Sequence, residues 1–264
     1  MRVLFFGDIV GRLGVEAVKA AIPILSKQEQ IDFIIANGEN VSGGRGITYR
    51  DYEELVDAGV DAITLGNHYR SKKQIDSFID DCDRLIRPYN LKDYDYGSGY
   101  QSYETDEGEI VVVNMLGKVF MKEEVTSATI NMHELIEKFP NAMIFVDFHG
   151  EATSEKGVFA HYFDGLVSAV VGTHTHVQTS DAHVLPNGTA FISDVGCCGM
   201  AESVLGFDPE SSIDVFVYGE NHLRIDEESD ARVNAVVIDI DPDTRLSKEI
   251  KPINMVIKKE RIHG

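Results

Sequence analysis

Two hydrophobic periods alternate along the chain. Short apolar runs ending in glycine, RVLFFG (2–7), IDFIIANG (31–38) and VDAITLGN (60–67), have the length and branched-residue content of buried strands. Between the first two, Val15, Val18, Ile22 and Leu25 recur at helical spacing. Thr48 and Asp51 form a capping box for the helix YRDYEELVDAG (49–59), and Ser71 is placed to cap a helix KKQIDSFIDDCDRL (72–85). Residues 88–106, rich in Tyr, Asp and Gly, read as an irregular excursion. Strands follow at EIVVVNMLG (109–117), AMIFVDFHG (142–150) and LVSAVVG (166–172), with helices TINMHELIEKF (129–139) and EATSEKGVFAHYFD (151–164) between them. DAHVLPNGTAFISD (181–194) reads as a hairpin turning at Pro-Asn-Gly. Beyond residue 197 the pattern weakens, with strands expected only at RVNAVVIDID (232–241) and IKPINMVI (250–257). This alternation predicts an α/β protein with a parallel or mixed sheet covered by helices, in one domain spanning residues 1–264.

The polar residues fall at the ends of these strands. Asp8 follows the first, Glu39 and Asn40 the second, Asn67 and His68 the third; His149 closes a later strand, and His174 and His176 follow another in GTHTH. In one parallel sheet these termini share an edge, where open α/β folds place their ligands. Along an extended stretch, His174 and His176 would point to opposite sides. Singly, each feature has an ordinary structural explanation, such as a helix cap or a turn. Together they form a carboxylate, amide and imidazole set suited to iron, manganese or zinc. The set exceeds the needs of one ion and suits two ions roughly 3.5–4 Å apart, clamping a phosphoryl group and generating hydroxide at neutral pH. His133, His161, His183, His222 and His263 lack such context and are expected to take no part.

Composition narrows the partners. The formal charge is −20 over 264 residues, so long-range electrostatics repel nucleic-acid polymers and anionic membranes. A small anionic substrate remains compatible if bound cations reverse the local field. Cys82, Cys197 and Cys198 make no disulfide framework, which fits a reducing compartment and a cytoplasmic location. Cys197 and Cys198 have no base beside them in the sequence and are expected not to be catalytic. No apolar run has the length of a signal-peptide core or a membrane span.

GDIVG, GEN, GNH, FHG and GTHTH stand in the order found in the calcineurin-like metallophosphoesterases, which this chain resembles. That superfamily usually carries His two residues after the first Asp, where this chain has Val10, and Asp where this chain has Glu39 followed by Asn40. NGENVSGGRGIT, DFHGEATSEK and GTHTHVQTSD together resemble the bacterial YmdB-like subfamily. The resemblance implies a two-sheet β-sandwich flanked by helices, two metal ions and hydrolysis of 2′,3′-cyclic nucleotides. It implies one ion held by Asp8, Glu39, Asn40 and His176, and a second held by Glu39, Asn67, His149 and His174. His68 would serve the leaving oxygen. Ser42 and Gly43, in the glycine-rich loop, and Arg70, just after His68, are candidate substrate contacts. A phosphomonoesterase on the same core, a CapA-like protein and a metal-binding regulatory protein with little turnover are the alternatives. The sequence leaves a homo-oligomer open.

Overall fold

The structure is a computed structural model and describes residues 1–92 and 94–262; His263 lies outside them. The first half contains β1 (Arg2–Phe6), β2 (Asp8–Ile9), α1 (Gly11–Glu29), β3 (Phe33–Asn37), α2 (Tyr49–Asp57), β4 (Ala62–Thr64), β5 (Leu85–Ile86), β6 (Tyr100–Thr105) and β7 (Gly108–Leu116). The second half contains α3 (Ala128–Lys138), β8 (Met143–His149), α4 (Thr153–Tyr162), β9 (Ala169–Thr173), β10 (His183–Val184), β11 (Ala190–Ile192), β12 (Cys197–Met200), α5 (Pro209–Tyr218), β13 (Ala231–Ile240), β14 (Ser247–Ile257) and a last short turn, α6 (Lys259–Ile262).

These strands form two sheets. One runs β2-β12-β13-β1-β3-β4-β5, with β14 on the free edge of β13; the other runs β10-β11-β9-β8-β7-β6. The β1, β3, β4 and β5 strands are mutually parallel, as are β7, β8, β9 and β11. Alternation along each apolar run explains the stacking. In β1, Leu4 and Phe6 face the helices α1 and α2, while Val3 and Phe5 enter the core between the sheets. In β8, Phe145 enters that middle core, and Ile144, Val146 and Phe148 pack with residues of α3 and α4. Phe5 and Phe145 stack across the middle at 5.7 Å. The result is a helix–sheet–sheet–helix sandwich, the two-sheet fold that the resemblance implied.

Four expectations change. The sites lie along the edges of two sheets rather than one. The helix expected at 72–85 is replaced by two 3₁₀ turns, Lys73–Ser77 and Ile79–Asp81. Ser71 does not cap the first turn, and Phe78 between the turns leaves helical geometry at φ −137°. The acidic side chains of this stretch are committed elsewhere: Asp76 accepts from the Tyr94 hydroxyl at 2.9 Å and Asp80 from the Gly97 amide at 2.6 Å. Within 88–106, Tyr100–Thr105 is an edge strand paired antiparallel with β7. Polar residues on both of its faces, Ser102 and Glu104 on one and Gln101 and Thr105 on the other, conceal it in the sequence. Beyond residue 197, β12 and α5 had no sequence signal; the hairpin at Pro-Asn-Gly is present, with His183 opposite Phe191.

Candidate metal centre

Each strand end that the sequence singled out arrives at one place, where the C-terminal ends of β1, β3 and β4 meet those of β8 and β9. The join is made underneath by Asp147 of β8. Its carboxylate accepts from Asn37 Nδ2 (2.9 Å) and Thr64 Oγ1 (2.6 Å) of the first sheet, and from Thr173 Oγ1 (2.6 Å) of its own. Burial raises the Asp147 carboxyl to about 7, with the three donors opposing the rise. The turns are tight enough to crowd the side chains together. At Gly66 a Cβ would run into the Glu39 carboxylate and the His149 ring.

The contacts sort into two groups that share Glu39. On one side, His149 Nε2 lies 3.1 Å from Glu39 Oε1, 2.9 Å from Asn67 Oδ1 and 3.1 Å from His174 Nδ1. On the other, Asn40 Nδ2 lies 3.3 Å from Glu39 Oε1, 3.4 Å from Asp8 Oδ1 and 3.1 Å from His176 Nε2. Asn67 turns its oxygen to the cluster. Asn40 turns its nitrogen, and the reversed amide rotamer would present oxygen instead. The second Glu39 oxygen accepts from the His68 amide at 2.8 Å.

Hydrogen bonds behind the rings set their tautomers. Thr173 spends its hydroxyl proton on Asp147, so it accepts from His149 Nδ1 at 2.9 Å. His149 therefore aims the Nε2 lone pair inward. His174 has Glu151 Oε2 3.2 Å from its Nε2, which leaves Nδ1 as the inward acceptor. Burial holds both imidazoles down at about 4, so both are neutral near pH 7. Two imidazole lone pairs, a carboxylate oxygen and an amide oxygen thus converge, an arrangement that calls for a cation. One donor atom from each of Glu39, His149 and His174 lies within 4.8 Å of the others. The residues fit a divalent metal.

His176 differs. Burial alone would lower it, but Asp8 and the Cys197 thiol outweigh burial and hold it up at about 10, aided by the Leu205 carbonyl, to which Nδ1 donates at 2.8 Å. Asp8 and Glu39 are both raised, burial first. The extended geometry expected for GTHTH is absent. His174 and His176 occupy positive φ, at 101° and 64°, a region that non-glycine residues enter only when their surroundings impose it. The His174 amide donates to Asp8 Oδ2 at 3.1 Å, and the Thr175 amide to Asp194 Oδ2 at 3.0 Å. Asp194 is in turn ion-paired at 3.0 Å with fully buried Lys156.

A cleft of roughly 350 Å³ opens above the cluster, lined by Glu39, Asn40, His68, His174 and His176. The candidate substrate contacts Ser42, Gly43 and Arg70 do not line it; their neighbours Gly44 and Arg45 do. Arg70 is turned away onto Asp76, with Nε 2.9 Å from Oδ2, and over the Tyr94 ring. Sequence reasoning passed over Arg45, Glu151, Leu205 and the Thr173–Asp147 support. Glu151 directly follows the FHG motif and Arg45 the Gly-Gly pair, the only local signals they carried. His133, His161, His183 and His222 do not line the cleft. Cys198 donates to the Asn234 carbonyl at 3.3 Å, and burial pushes its thiol far up.

The two-sheet fold matches proteins of known structure. A family model described as YmdB-like protein covers residues 4–253, and the chain belongs to that family. It is 42% identical over 255 residues to the 2′,3′-cyclic-nucleotide 2′-phosphodiesterase of Bacillus subtilis (strain 168), covering 96% of each chain. A solved structure of a phosphatase from Mycoplasma pneumoniae superposes with a TM-score of 0.91 at 34% identity, covering 99% of this chain and 95% of that one. The NAD nucleotidase of Haemophilus influenzae, at 12% identity, shares the fold alone; its TM-score is 0.58, covering 98% of this chain and 56% of that one. No helix among the described residues is long and apolar enough to cross a membrane.

Proposed function

We propose that the chain hydrolyses small phosphodiesters, with 2′,3′-cyclic nucleotides as the substrate class, using two metal ions. The observation that carries this reading is the convergence of carboxylate, amide and imidazole groups on either side of Glu39. The phosphodiesterase among its relatives supports the substrate class. Asp8, Glu39, Asn40 and His176 would hold one ion, and Glu39, Asn67, His149 and His174 the other. When bound, the ions supply positive charge for the phosphate oxygens and a hydroxide at neutral pH.

The chain's own residues supply the rest. The Asp147–Thr173 pair keeps the His149 ring in one orientation, so the donor set is formed before substrate arrives. His68 is at the cleft, with Nδ1 3.4 Å from Ser71 Oγ, and is assigned to the leaving ribose oxygen. Burial lowers its pKa, Glu39 opposes that, and Arg45 adds to the lowering. His68 is thus mainly neutral at pH 7 and serves the oxygen through an N–H hydrogen bond or through its minor protonated fraction. Arg45 takes the part of phosphate contact that the sequence suggested for Arg70.

A phosphodiester carries one negative charge and a monoester nearly two. The surround of acidic side chains penalises the dianion. On one metal-reconstituted preparation, kcat/KM for a 2′,3′-cyclic nucleotide should exceed that for the matching nucleoside monophosphate. A preference for the monoester would replace this reading with a phosphomonoesterase. Elemental analysis should approach two metal equivalents per chain, and saturation at one would end the dinuclear assignment.

A further inference from the structure

One wall of the cleft is apolar. Val204, Leu205, Phe207, Phe216 and Leu223 line it, and all come from the segment between β12 and β13. This segment is held in place. Val204 and Phe207 exchange backbone hydrogen bonds at 2.9 and 3.0 Å around Leu205 and Gly206, both at positive φ. Gly206 is seated on Val10, where an added Cβ would lie 2.9 Å from Val10 Cγ1. The Phe207 ring lies against Gly44, whose added Cβ would meet Cε1 at 2.8 Å. Asp208 caps α5, accepting from the Ser211 amide at 2.9 Å, and pairs with Arg224 at 3.2 Å, closing the base of the segment.

On this anchored support Phe216 stands 82% exposed. A ring of this size left in water forgoes the stabilisation of burial, and here it borders a cleft already equipped for phosphate. One wall is polar and carries the groups that would hold cations for a phosphate, and the other is apolar and aromatic. That pairing suits a ligand with a charged phosphoryl end and a flat hydrophobic end. The cleft volume falls within the range of small-molecule sites, about 300–1,000 Å³. Ser212, the polar side chain on that wall, donates its hydroxyl to the Asp208 carbonyl at 2.9 Å and has no second proton with which to read a base edge.

We propose that Phe216 is the platform on which the nucleobase of the substrate stacks. The proposal rests on the phosphodiesterase reading and adds the means by which a nucleotide is told from other diesters. Stacking engages the face that every base has, so the wall tolerates all four bases and favours purines for their larger area.

The test compares adenosine 2′,3′-cyclic phosphate with 1-O-methylribose 2′,3′-cyclic phosphate, which has no base. With metal-reconstituted Phe216→Ala, KM for the nucleotide should rise about tenfold, within the range of base–aromatic stacking. KM for the base-free compound should move less than about twofold, Phe216→Tyr should restore the nucleotide value, and metal content should be unchanged. Equal loss on both compounds would make Phe216 a shaper of the cleft and overturn the proposal; no change on either would also overturn it. Equilibrium binding of adenosine 3′-monophosphate against ribose 3-phosphate gives the same contrast without turnover. A wild-type protein that cleaved neither cyclic phosphate would therefore sink the phosphodiesterase reading while the binding contrast still decided the stacking.

Discussion

The floor and the aromatic wall of the cleft are built in opposite ways. Every candidate ligand on the floor sits within a turn of a strand end. Asp8, Glu39, Asn40 and His149 are buried, and each has at least one side-chain partner at or below 3.4 Å. The wall is one segment of chain, apolar, with Phe216 largely in water. Where charge must be held at fixed points, the fold uses strand ends tied together by buried hydrogen bonds. Where a flat apolar surface suffices, a capped helix on a clipped turn is enough. Changes to the floor should therefore cost metal and turnover, and changes to the wall should cost affinity.

The largest effect is expected from Glu39→Gln, which removes the charge shared by both halves of the floor. It should lower kcat/KM by at least about a thousandfold, several kcal/mol of barrier, with metal lost in elemental analysis. His174→Ala should behave in the same way. Next comes His68→Ala, which should keep both metals and lower kcat by about 10²–10⁴-fold. Metal loss equal to that of His174→Ala would make His68 a ligand and remove it from its assigned part. Thr173→Val removes the hydroxyl that orients His149 while keeping the branched shape of the strand residue. Metal affinity should fall by about 10–100-fold in a chelator competition, and unchanged affinity would show that the ring needs no such support.

On the wall, Gly206→Ala forces a Cβ against Val10 at φ 95°. A side chain in that region costs about 1–2 kcal/mol. KM should rise several-fold with kcat and metal content nearly unaltered; a loss of metal would mean that wall and floor are one unit, through the Leu205–His176 bond. The smallest effect lies away from both. Glu54 of α2 pairs with Arg12 and Lys19 of α1, and the Arg12 hydrogen bond leads in lowering its carboxyl to about 2. Its stabilisation is complete above the ordinary value of 4.5 and is lost as pH falls through about 2. Glu54→Gln should cost about 1 kcal/mol near neutral pH, since Arg12 is partly exposed. Thermal melts should show the gap from wild type closing between pH 4.5 and 2.

The same contrast explains what could be read from the chain. The floor was readable because each strand is a short apolar run, each ends near a glycine, and the polar residue comes next. Asp8, Glu39 and His149 are local consequences of where a strand stops. Arg70 lies off the cleft because nearness to His68 in sequence says nothing about which way the loop leaves, and Asp76 and Tyr94 draw it off. Arg45 came from the glycine-rich loop, whose course depends on the Phe207 ring seated on Gly44. The wall was hidden because its segment has no strong period and no chemistry of its own; its placement depends on contacts with Val10 and Gly44, far away in sequence. Val10 is itself instructive. Where the superfamily usually carries a histidine, this chain has an apolar seat for the turn that brings the Leu205 carbonyl to His176.

The position of β1 has a consequence for the life of the chain before it is complete. Its strand lies between β3, made soon after it, and β13, made near the end. On the ribosome, β1 can pair with β3 early and set Asp8 beside Glu39. Its other edge then stays open until Ala231–Ile240 emerges. Val3 to Phe6 are fully buried in the finished protein, so for most of synthesis the half-built centre rides on a bare, apolar strand edge able to pair with a neighbouring nascent chain. The same late strand seals that edge. Chains that stop short of Ala231 are accordingly expected in the insoluble fraction of an expressing cell, and their recovery as soluble monomers would show that something else shields β1 in the interval.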